Sequence, residues 1–496
     1  MTTDEFLQRL AGHSAANTQA ALLTPTGAWT YAELLAAVRE RAALLRASGI
    51  QLLATQMHNG AEWIVTDLAA LLAGIVHVPL PMFFSPAQTA AVLAATRADG
   101  LIAIADEAKE IPAGFTVSQS LAPELMFYRR SVSPCEVPAG TAKITFTSGS
   151  TGDPKGVCLD AKTMLAVAAS LAKAITKVDP RLHVNALPFP VLLENVAGLY
   201  TPLLLGSTCI VPDPADTGLQ GSSRFDPAAL QRTLTHHSAH SLILLPQMLR
   251  AYVDLLSTQA LAAPRSLRLV AVGGAPVGAP LLAQAHALGI PASEGYGLSE
   301  AASVQTLNLP DDHCPGSVGK PLPHAGVRIA ADGEIEIRGG LFLGYLGGPQ
   351  RTGEWLATGD LGHIDQNGFL HIHGRKKNLL ITTFGRNVSP EWIETLLHAE
   401  PDILRAVVLG DNQPALGAVL WPAAEVSDAG LTAIVNKINA SLPDYARIGR
   451  WLRARAAFTE QSGMATANGR PRRQQIADAH PQLFQDTHTQ PASLAT

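Results

Sequence analysis

The chain has 496 residues, of which 47% are hydrophobic and 16% are charged, and its formal net charge is −5. This composition excludes an intrinsically disordered chain, and the lack of a basic surplus argues against non-specific binding to nucleic acid or to an anionic membrane. A chain of this length is too long for one hydrophobic core, so we expect two or more domains.

The N-terminal segment "MTTDEFLQRLAGHS" is acidic and lacks an apolar core, unlike a secretory signal. The longest apolar run, "LAALLAGIVHVPLPMFF", contains His77, Pro79 and Pro81. These residues predict a buried helix followed by a buried strand instead of a membrane span. The four cysteines are far apart and form no C-x-x-C pair, which predicts unpaired thiols, a reducing compartment and no zinc site. We therefore expect a soluble, cytoplasmic protein.

Helix and strand patterns alternate along most of the chain, which is typical of α/β proteins with parallel sheets. In "SPAQTAAVLAATRADG", Ser85 and Gln88 have the spacing of a capping box, and Pro86 suits the first helical turn. Gly100 is expected to end this helix. The later apolar runs "LILLP" and "LVAVGG" predict buried strands that end in loops. Ligands bind at such strand ends in open α/β sheets.

The pattern changes after about Gly316. Turn sequences in "AADGEIE" and "DQNGFLH" each lie between alternating segments and predict antiparallel hairpins in a small β-subdomain. A helix that begins at Pro390, followed by two strands and a second helix, then predicts a compact α+β module of roughly 100 residues. The tail beyond Pro481 is expected to be weakly ordered.

The stretch "ITFTSGSTGDPKGV", residues 144 to 157, combines hydroxyl residues, glycines and one lysine between apolar flanks. Backbone N–H groups, hydroxyls and an ammonium group together form a cradle for anions, and a phosphate chain is the usual ligand. The spacing G-x-x-x-x-G-K-[ST] of the common nucleotide-binding loop does not fit this segment. The stretch therefore predicts a phosphate site of a different kind from that of GTPases or motors.

Six motifs follow one another in a defined order: "TFTSGSTGDPKGV", "VGGAPV", "EGYGLSE", "GEIEIRGG", "TGDLGHIDQNGFLHIHGRKKNLLITTFGRNVSPEWIE" and "TANGRPRR". With these motifs in this order, the chain resembles the adenylate-forming superfamily. That superfamily includes acyl-CoA synthetases, luciferases and the adenylation domains of peptide synthetases. The resemblance is closest to fatty acyl-CoA synthetases, and it extends from near the start of the chain to Ile476.

The resemblance implies an α/β fold with a large N-terminal domain of two doubly wound sheets plus a β-barrel subdomain, followed by a small, mobile α+β C-terminal domain. The implied boundaries are 1–375 for the AMP-binding domain, with the barrel at about 316–375, then 376–480 for a hinged lid domain and 481–496 for the tail.

The resemblance also implies an AMP-forming acid–thiol ligase that works in two steps. A carboxylate attacks the α-phosphate of ATP and forms acyl-AMP and pyrophosphate, and a pantetheine thiol then displaces AMP. Catalysis of such a phosphoryl-group reaction rests mainly on positioning and charge neutralisation. The implied cofactors are ATP and Mg²⁺, and the implied acceptor is CoA or the phosphopantetheine of a carrier protein.

By this resemblance, the β- and γ-phosphates are bound by Thr147, Ser148, Gly149, Ser150, Thr151, Gly152 and Lys155. Thr147 and Glu300 would hold Mg²⁺, since this hard cation prefers oxygen ligands. The alternative is a surface turn in which Lys155 is only solvated, and a Glu300 that forms an ordinary exposed salt bridge.

The resemblance assigns the nucleoside site to Gly274, Ala275, Pro276, Glu294, Gly295, Tyr296, Gly297, Ser299, Asp360 and Arg375. Tyr296 would lie on adenine, and Glu294 would bind its amino group. Asp360 would accept hydrogen bonds from both ribose hydroxyls, which suits a charged acceptor. Read without the resemblance, Tyr296 would be a core residue and Asp360 would organise a turn.

Lys377 lies where relatives have a hinge between the two domains. Rotation at the hinge would exchange the catalytic face of the C-terminal domain between the two steps. In the second step the loop at Gly385 would let a pantetheine arm pass. The alternative is that "RKKN" is a solvated basic run.

One position departs from the family pattern. Relatives end with a Gly-Lys pair whose lysine bridges the substrate carboxylate and the α-phosphate, whereas here Arg470 follows Gly469. Arginine keeps the charge, but it is not interchangeable with lysine at a positioned site. We assign the catalytic role to Arg470, together with Lys155 and Glu300, and Arg472 is the weaker candidate.

The segment "LPFPVLLENV" resembles the acyl-pocket segment of long-chain acyl-CoA synthetases. It departs from that segment at Val191, where relatives have histidine, and at Asn195, where they have arginine. An apolar lining suits a fatty chain. The alternative is that these are core residues beneath the loop. The predicted pocket is lined by Phe189, Val191, Glu194, Gly274 and Gly297.

Three hypotheses follow. The protein is an ATP-dependent acyl-CoA synthetase for a fatty or other apolar acid, or an acyl-AMP ligase that loads a carrier protein. Alternatively, it is a non-catalytic member that binds nucleotide or acyl-adenylate, for which Arg470 is the only support in the sequence.

Overall fold

The computed structural model describes residues 1–16, 20–105, 112–147, 155–220, 224–383, 386–423, 425–466 and 470–484. By their internal contacts these residues form two compact units. The first unit comprises residues 1–275, 282–327 and 337–356, and the second comprises residues 276–281, 328–336 and the chain from Ala357 onward. The predicted boundaries at residues 375 and 480 stay predictions, and most of the predicted tail lies outside the described residues.

The strands are short and alternate with helices through the first three hundred residues. They are β1 (Ala20–Thr24), β2 (Gly27–Thr30), β3 (Leu52–Gln56), β4 (Val76–Pro79), β5 (Gly100–Ile104), β6 (Thr116–Ala122), β7 (Leu125–Arg129), β8 (Thr141–Thr147), β9 (Lys155–Asp160), β10 (Leu182–Val184), β11 (Thr208–Ile210), β12 (Leu219–Gln220), β13 (Arg224–Phe225), β14 (Ser241–Leu244), β15 (Leu269–Val272), β16 (Ala292–Leu298), β17 (Ser303–Leu307), β18 (Lys320–Pro321), β19 (Gly326–Ile329), β20 (Glu334–Arg338), β21 (Gly344–Tyr345), β22 (Leu356–Ile364), β23 (Leu370–Arg375), β24 (Leu380–Ile381), β25 (Asn387–Val388), β26 (Ile403–Leu409), β27 (Leu416–Pro422) and β28 (Ile448–Arg453).

The α-helices are α1 (Thr3–Ala16), α2 (Tyr31–Ser48), α3 (Ala61–Ala73), α4 (Pro86–Thr96), α5 (Ala161–Ile175), α6 (Thr201–Leu205), α7 (Pro227–His236), α8 (Pro246–Thr258), α9 (Ala279–Ala287), α10 (Pro390–His398), α11 (Asp428–Ser441) and α12 (Arg473–Ala479). A π-helical segment at Glu194–Tyr200 runs directly into α6. Segments of this kind are rare and occur frequently at functional sites. None of the helices in the described ranges is long and apolar enough to cross a membrane.

Two large sheets form the first unit, as the fold prediction requires. One has the order β18-β17-β16-β15-β14-β10-β11-β1-β2, and the other has the order β21-β9-β8-β4-β3-β5-β7-β6. The central pairings are parallel in both sheets, and antiparallel strands lie at the edges. Parallel strands buried beneath helices are the arrangement that the alternating pattern predicts. The α/β prediction is therefore confirmed.

Local signals in the sequence located several elements. The long apolar run forms α3 and β4, and it is divided by Gly74 in a left-handed conformation. The capping box of Ser85 and Gln88 at the start of α4 is confirmed, with both reciprocal bonds present. The prediction that Gly100 ends this helix is wrong, because Arg97 caps it with φ of 50°. Gly100 instead begins β5, where a Cβ atom would approach Ile50 Cδ1 within 2.6 Å.

The later part of the chain contains the predicted hairpins and the predicted α+β module. Strands β19, β20, β22 and β23 form a four-stranded sheet in the region of the predicted barrel. In the second unit, β26, β27 and β28 form a three-stranded sheet. Apolar residues of α10 and α11 pack with this sheet in one core cluster, which includes Ile393, Leu397 and Leu431. This small unit therefore has a hydrophobic core of its own.

Candidate active site

The carboxyl end of β15 turns sharply toward the neighbouring strands. Gly274 adopts φ of 88°, a left-handed conformation that glycine accommodates without a steric penalty. A Cβ atom at Gly273 would lie 3.4 Å from the carbonyl oxygen of Gly295 and 3.9 Å from Leu193 Cδ2. At Gly274 it would lie 3.3 Å from Leu245 Cδ2. The predicted adenine segment and an apolar wall therefore meet at this strand end.

The next segment, from β16 to β17, is a tightly constrained turn. Gly297 cannot be replaced without a backbone shift, since its Cβ would lie 1.6 Å from the carbonyl oxygen of Ser303. Ala302 and Ser303 are both non-glycine residues at positive φ, 51° and 101°. Such strained conformations cluster at functional sites, where the surrounding structure holds them in place. The turn fixes Glu300, which lies in the short 3-10 segment Ser299–Ala301.

Glu300 and Lys155 are brought together by a tyrosine that the sequence analysis missed. The hydroxyl of Tyr345 donates to Glu300 Oε1 over 2.8 Å, and the Lys155 ammonium lies 5.5 Å from the centre of the Tyr345 ring. Burial and the Glu300 carboxylate raise the pKa of Tyr345, so its hydroxyl stays protonated as a donor. Pairing of β21 with β9 places Tyr345 opposite Val157. In the sequence, Tyr345 directly follows Gly344 and lies two residues before Gly347.

This cluster suits the ligands that the sequence predicts. The Glu300 carboxylate is an oxygen donor of the kind that Mg²⁺ prefers, and the Lys155 ammonium suits a phosphate oxygen. Thr147 is the last residue of β8, and Ser148 to Gly152 lie outside the described residues. Lys155 begins β9 as an exposed residue. Roles of the other loop residues therefore stay predictions.

Two further predicted residues, Glu294 and Tyr296, lie on β16. Glu294 is buried, and its carbonyl oxygen accepts hydrogen bonds from the backbone and the side chain of Asn308. Tyr296 is half-buried and pairs with Thr306 on β17 beside a β-bulge. Both residues are on the strand next to Gly274, as the predicted adenine site requires, and their contacts to a nucleotide stay predictions.

The predicted ribose residues form an ion pair within the second unit. Arg375 Nε lies 2.7 Å from Asp360 Oδ1, and the two residues are opposite one another on β22 and β23. Asp360 is almost fully buried, whereas Arg375 is about one third exposed. Thr358 Oγ1 accepts from the Asp360 backbone N–H over 3.0 Å. A buried, oriented carboxylate can accept two hydroxyl hydrogen bonds from a ribose.

The predicted hinge lies in a short 3-10 segment, Lys376–Asn378. Lys376 is not an isolated solvated cation, because its ammonium lies 2.6 Å from Asp332 Oδ2 and 2.8 Å from Glu334 Oε2. Both carboxylates raise the pKa of Lys376. Lys377 is exposed, and its hinge role stays a prediction, while Gly385 lies outside the described residues.

Arg470 lies in the second unit, where it is hydrogen-bonded to Thr466. Its carbonyl oxygen accepts from the Thr466 N–H over 2.8 Å, and its own N–H donates to Thr466 Oγ1 over 3.1 Å. Ala465 and Pro471 form an antiparallel bridge just outside these bonds. The backbone at Arg470 is therefore ordered, although residues 467–469 lie outside the described residues.

Arg473 is a second residue that the sequence analysis missed. Its guanidinium donates to both carboxylate oxygens of Glu394, to Glu391 Oε1 over 3.3 Å, and to the carbonyl oxygen of Val408 over 3.1 Å. These contacts fix α12 to α10 and β26. Because Arg473 is three residues from Arg470, these contacts also hold the chain close to Arg470. In the sequence, Arg473 was one of three arginines in the final motif, and nothing distinguished it from the other two.

The predicted acid pocket begins at a loop held by Asn59. The Asn59 amide donates to the Leu187 carbonyl oxygen, and its oxygen accepts from the Phe189 N–H, each over 2.8 Å. Phe189 is fully buried, with its ring centre 5.0 Å from that of Trp63. Val191 is half-buried. The lining on this side is therefore apolar, and whether Phe189 and Val191 contact the acid stays a prediction.

Glu194 is fully buried beneath the same segment. Asn185 donates to its Oε1 over 2.8 Å, while Glu194 Oε2 and Asn185 Oδ1 have no hydrogen-bond partner among the described residues. Burial raises the pKa of Glu194 to about 8, although hydrogen bonds from Asn185 and the Leu187 backbone oppose the shift. The carboxyl group is therefore mostly protonated at neutral pH. This state suits a packed interior, and direct contact of Glu194 with the acid stays a prediction.

Protonation of Glu194 predicts a specific pH dependence of stability. The folded state keeps this proton up to a pKa of about 8, whereas the unfolded chain loses it near pH 4.5. Folding therefore retains a proton between these values, and the contribution of this group to the free energy of unfolding falls by about 1.4 kcal/mol per pH unit as the pH rises. Urea unfolding gives the free energies of unfolding of the wild type and of Glu194→Gln at pH 5.5 and 7.5. From pH 5.5 to pH 7.5 the free energy of unfolding of the variant should rise relative to that of the wild type. An equal difference in free energy at both pH values would disprove the protonated state of Glu194.

The α/β fold and these residues are those expected of a nucleotide-dependent enzyme, and comparison with known proteins identifies the family of the chain. The family model of the AMP-binding enzymes matches residues 10–346, and that of the AMP-binding enzyme C-terminal domain matches residues 377–489. The chain belongs to the AMP-binding enzyme family. The predicted superfamily and the predicted AMP-forming, acyl-CoA synthetase-like class are therefore confirmed, and an adenine nucleotide is the ligand that the family shares.

Curated relatives of the chain include two ligases of different acids. A long-chain-fatty-acid–CoA ligase, FadD15 of Mycobacterium bovis, is 29% identical over 84% of each chain. A 2-succinylbenzoate–CoA ligase of Bacillus cereus is 30% identical over 77% of this chain and 79% of the relative. Both names describe the joining of a carboxylic acid to CoA.

Solved structures have the same fold. The o-succinylbenzoate CoA synthetase of Bacillus subtilis with its acyl-adenylate intermediate has a TM-score of 0.76 at 24% identity, covering 94% of this chain and 97% of the other. ATP-bound MatB of Rhodopseudomonas palustris has a TM-score of 0.78 at 23% identity, covering 98% and 100%. At these identities the similarity confirms the fold of the large N-terminal and small C-terminal domains.

Proposed function

We propose that the protein activates an apolar carboxylic acid with ATP and transfers the acyl group to CoA. The carboxylate attacks the α-phosphate, a bond forms between the acid oxygen and phosphorus, and pyrophosphate leaves. The CoA thiolate then attacks the acyl carbon and AMP leaves. The observation that supports the proposal is the cluster of Lys155, Tyr345 and Glu300, because it brings a cation that suits phosphate close to a carboxylate that suits a metal ion.

Each residue of the proposed site has one task. Lys155 neutralises charge on the β- and γ-phosphates. Glu300 and Thr147 would hold Mg²⁺, which would supply further charge neutralisation. Gly274 and Tyr296 hold adenine, and Asp360 holds the ribose hydroxyls. Arg470 neutralises the attacking carboxylate and the α-phosphate. Fixed charges that are already in place stabilise such a transition state strongly.

An apolar acid is proposed because, apart from Glu194, the described side chains at the predicted pocket are apolar. Leu193 and Leu245 lie against the glycine turn, and Phe189 is fully buried. The names of the relatives give long-chain fatty acids, 2-succinylbenzoate and indoleacetate as the acids that they join to CoA. A fatty acid remains the first candidate, and a cytoplasmic location is part of the same proposal.

Loading of a carrier protein is the second candidate, since it shares the first step and differs only in the thiol. We propose to incubate the protein with ATP, Mg²⁺ and a panel of fatty, aryl and amino acids, with CoA and a phosphopantetheinylated carrier protein present in equal amounts. Mass spectrometry of both acceptors gives the product ratio. Acyl-CoA from an apolar acid supports the proposal, whereas acylation of the carrier alone, or preference for an amino acid, contradicts it.

Tyr345 offers a graded test of the phosphate and metal cluster. Tyr345→Phe keeps the ring beside Lys155 and removes the hydrogen bond to Glu300, so we expect a loss of about tenfold in kcat/KM for ATP, the effect of one hydrogen bond to a charged group. Tyr345→Leu also removes the ring, and we expect a further several-fold loss. In isothermal titration with ATP and Mg²⁺, the affinity for ATP should fall in the order wild type, Tyr345→Phe, Tyr345→Leu.

The second half-reaction is the control for the Tyr345 variants. Thiolysis of supplied acyl-AMP needs neither pyrophosphate nor its metal, so both variants should retain the wild-type rate within about twofold. Equal losses in both half-reactions would show that Tyr345 only stabilises the fold. Equal activity of the Phe and wild-type proteins would show that the hydrogen bond to Glu300 has no role.

A further inference from the structure

The Glu391 carboxylate joins two distant segments of the second unit. Its Oε1 accepts from the side-chain amide of Asn378 and, over 3.3 Å, from the Arg473 guanidinium. Its Oε2 accepts from the Ser389 hydroxyl over 3.0 Å. Asn378 ends the short 3-10 segment that contains Lys377, the predicted hinge. The carboxylate therefore ties the residue next to the predicted hinge to the first residue of α12.

The Arg473 side chain is bound in a defined orientation. Its two terminal nitrogens each donate to one carboxylate oxygen of Glu394, and one of them also donates to the Val408 carbonyl oxygen over 3.1 Å. Glu394 Oε1 in turn accepts from the Val408 N–H over 2.7 Å. Paired bonds between a guanidinium and a carboxylate fix an orientation as well as a distance. The buried Ile476 also holds α12, but apolar contacts are non-directional. The orientation of the first turn of α12 therefore depends on Arg473.

A short hydrogen-bonded stretch connects Arg473 to Arg470. The Arg472 N–H donates to the Met464 carbonyl oxygen over 2.8 Å. Arg470 is bonded to Thr466 through both its N–H and its carbonyl oxygen. The chain passes from this stretch directly into α12, which begins at Arg473. A shift of the Arg473 end would therefore move the Arg470 backbone with it.

We propose that Arg473 is a positioning residue for Arg470 in the formation of acyl-AMP, and that Glu391 extends the same support to the predicted hinge. Because the task of Arg470 belongs to the proposed function, this role of Arg473 rests on the proposed function as well. Arginine is longer than lysine and binds through a planar fork, so its placement requires a closely defined backbone position. A misplacement of about 1 Å at a reacting centre can cost about a hundredfold in rate. Arg473 itself, bound to Glu391 and Glu394, acts only through Arg470.

The test compares both half-reactions in the full-length protein. Arg473→Lys keeps the charge but cannot form the paired bonds to Glu394, and we expect the rate of acyl-AMP formation to fall about tenfold or more. Glu391→Gln leaves the pair with Glu394 intact and should cause a smaller loss in the same step. Thiolysis of supplied acyl-AMP with CoA should stay within about twofold of the wild type in both variants.

Arg453→Lys is the matched control. Arg453 is an exposed arginine at the end of β28, and it donates to Asp428 Oδ1 and to the Val426 carbonyl oxygen, each over 2.7 Å. The same replacement therefore removes a comparable set of bonds at a site without a link to Arg470 in the chain. Both of its rates should stay within about twofold of the wild type.

A double variant separates positioning from a general loss of structure. If Arg473 acts only through Arg470, Arg473→Lys should not lower the residual rate of acyl-AMP formation in Arg470→Ala any further. Thermal unfolding shows whether Arg473→Lys is folded at the assay temperature. Glu391→Gln keeps the proposal testable if it is not.

Equal losses in both half-reactions for folded Arg473→Lys and Glu391→Gln would overturn the proposal, since they would show a structural role alone. Losses that add in the double variant would overturn it too. A loss in Arg470→Ala with a normal first step in Arg473→Lys would overturn the role of Arg473 and leave the proposed function standing. The absence of acyl-AMP in the wild type with every acid of the panel would overturn both.

Discussion

Arg470→Ala is expected to abolish acid-dependent formation of acyl-AMP while thiolysis of supplied acyl-AMP stays within about twofold of the wild type. The guanidinium is proposed to neutralise the attacking carboxylate and the α-phosphate, which react only in the first step. Removal of one well-placed donor in such a site typically costs about 3–4 kcal/mol, or several hundredfold in rate. Rapid-quench measurement of acyl-AMP and pyrophosphate gives the first rate, and the release of AMP from acyl-AMP with CoA gives the second.

Arg472→Ala is the matched control, since it removes the same side chain two positions away. Its first-step rate should stay near that of the wild type. Arg470→Lys restores the family residue and should recover much of the lost rate, although the arginine fork and the lysine ammonium are not equivalent. Equal losses in both half-reactions for Arg470→Ala, or a larger loss for Arg472→Ala, would show that the assignment is wrong.

Lys143→Met is expected to destabilise the folded protein by about 3–5 kcal/mol, because it leaves the Asp67 carboxylate buried without its main counter-charge. Lys143 and Asp67 are fully buried and lie 2.7 Å apart. Burial alone would raise the pKa of Asp67, but Lys143 and His77 outweigh it and hold the pKa well below its usual range. Urea unfolding followed by tryptophan fluorescence measures the loss.

The pair belongs to a larger buried network. Lys143 also donates to Asn195 and, over 3.0 Å, to the Tyr200 hydroxyl. Asn195 and Tyr200 in turn donate to Asp67 Oδ2, over 3.1 and 2.5 Å. The network joins α3 and β8 to the π-helical segment, so it holds the strand before the predicted phosphate loop against the predicted acid-pocket segment. Asn195 stands where relatives have arginine, and in this chain it takes part in the hydrogen bonds of this network.

A double-mutant cycle separates the pair from its surroundings. Asp67→Leu and Lys143→Met together remove both charges, and replacement of a buried ion pair by apolar residues is often nearly neutral. The double variant should therefore lose clearly less free energy of unfolding than the sum of the losses in the two single variants. If the losses in free energy of unfolding simply add, Asp67 and Lys143 do not stabilise one another.

The parts of the fold that local rules determine were predicted from the sequence. The capping box of Ser85 and Gln88 depends on four adjacent residues, and the two hairpins depend on turns of a few residues each. The error at Gly100 arose because a left-handed arginine and a long-range contact with Ile50 decided the local structure. A spacing rule includes neither of them.

The candidate site was predicted only where an ordered motif carries it. Glu300 and Lys155 each lie in such a motif, whereas Tyr345 contacts them only because β21 pairs with β9. Arg473 is recognisable only after α10 and α12 have packed together. The buried network is missed for the same reason, since Asp67 and Lys143 are far apart in the chain. Contacts between distant residues leave no mark on local periodicity.

The measurement that tests the account most directly is acid-dependent exchange of labelled pyrophosphate into ATP, because it reports acyl-AMP formation without any thiol acceptor. We expect exchange that requires Mg²⁺ and an apolar acid, with a rate that falls by several hundredfold in Arg470→Ala. Binding of ATP without exchange for any acid of a broad panel would contradict the account and identify the protein as a non-catalytic member of its family.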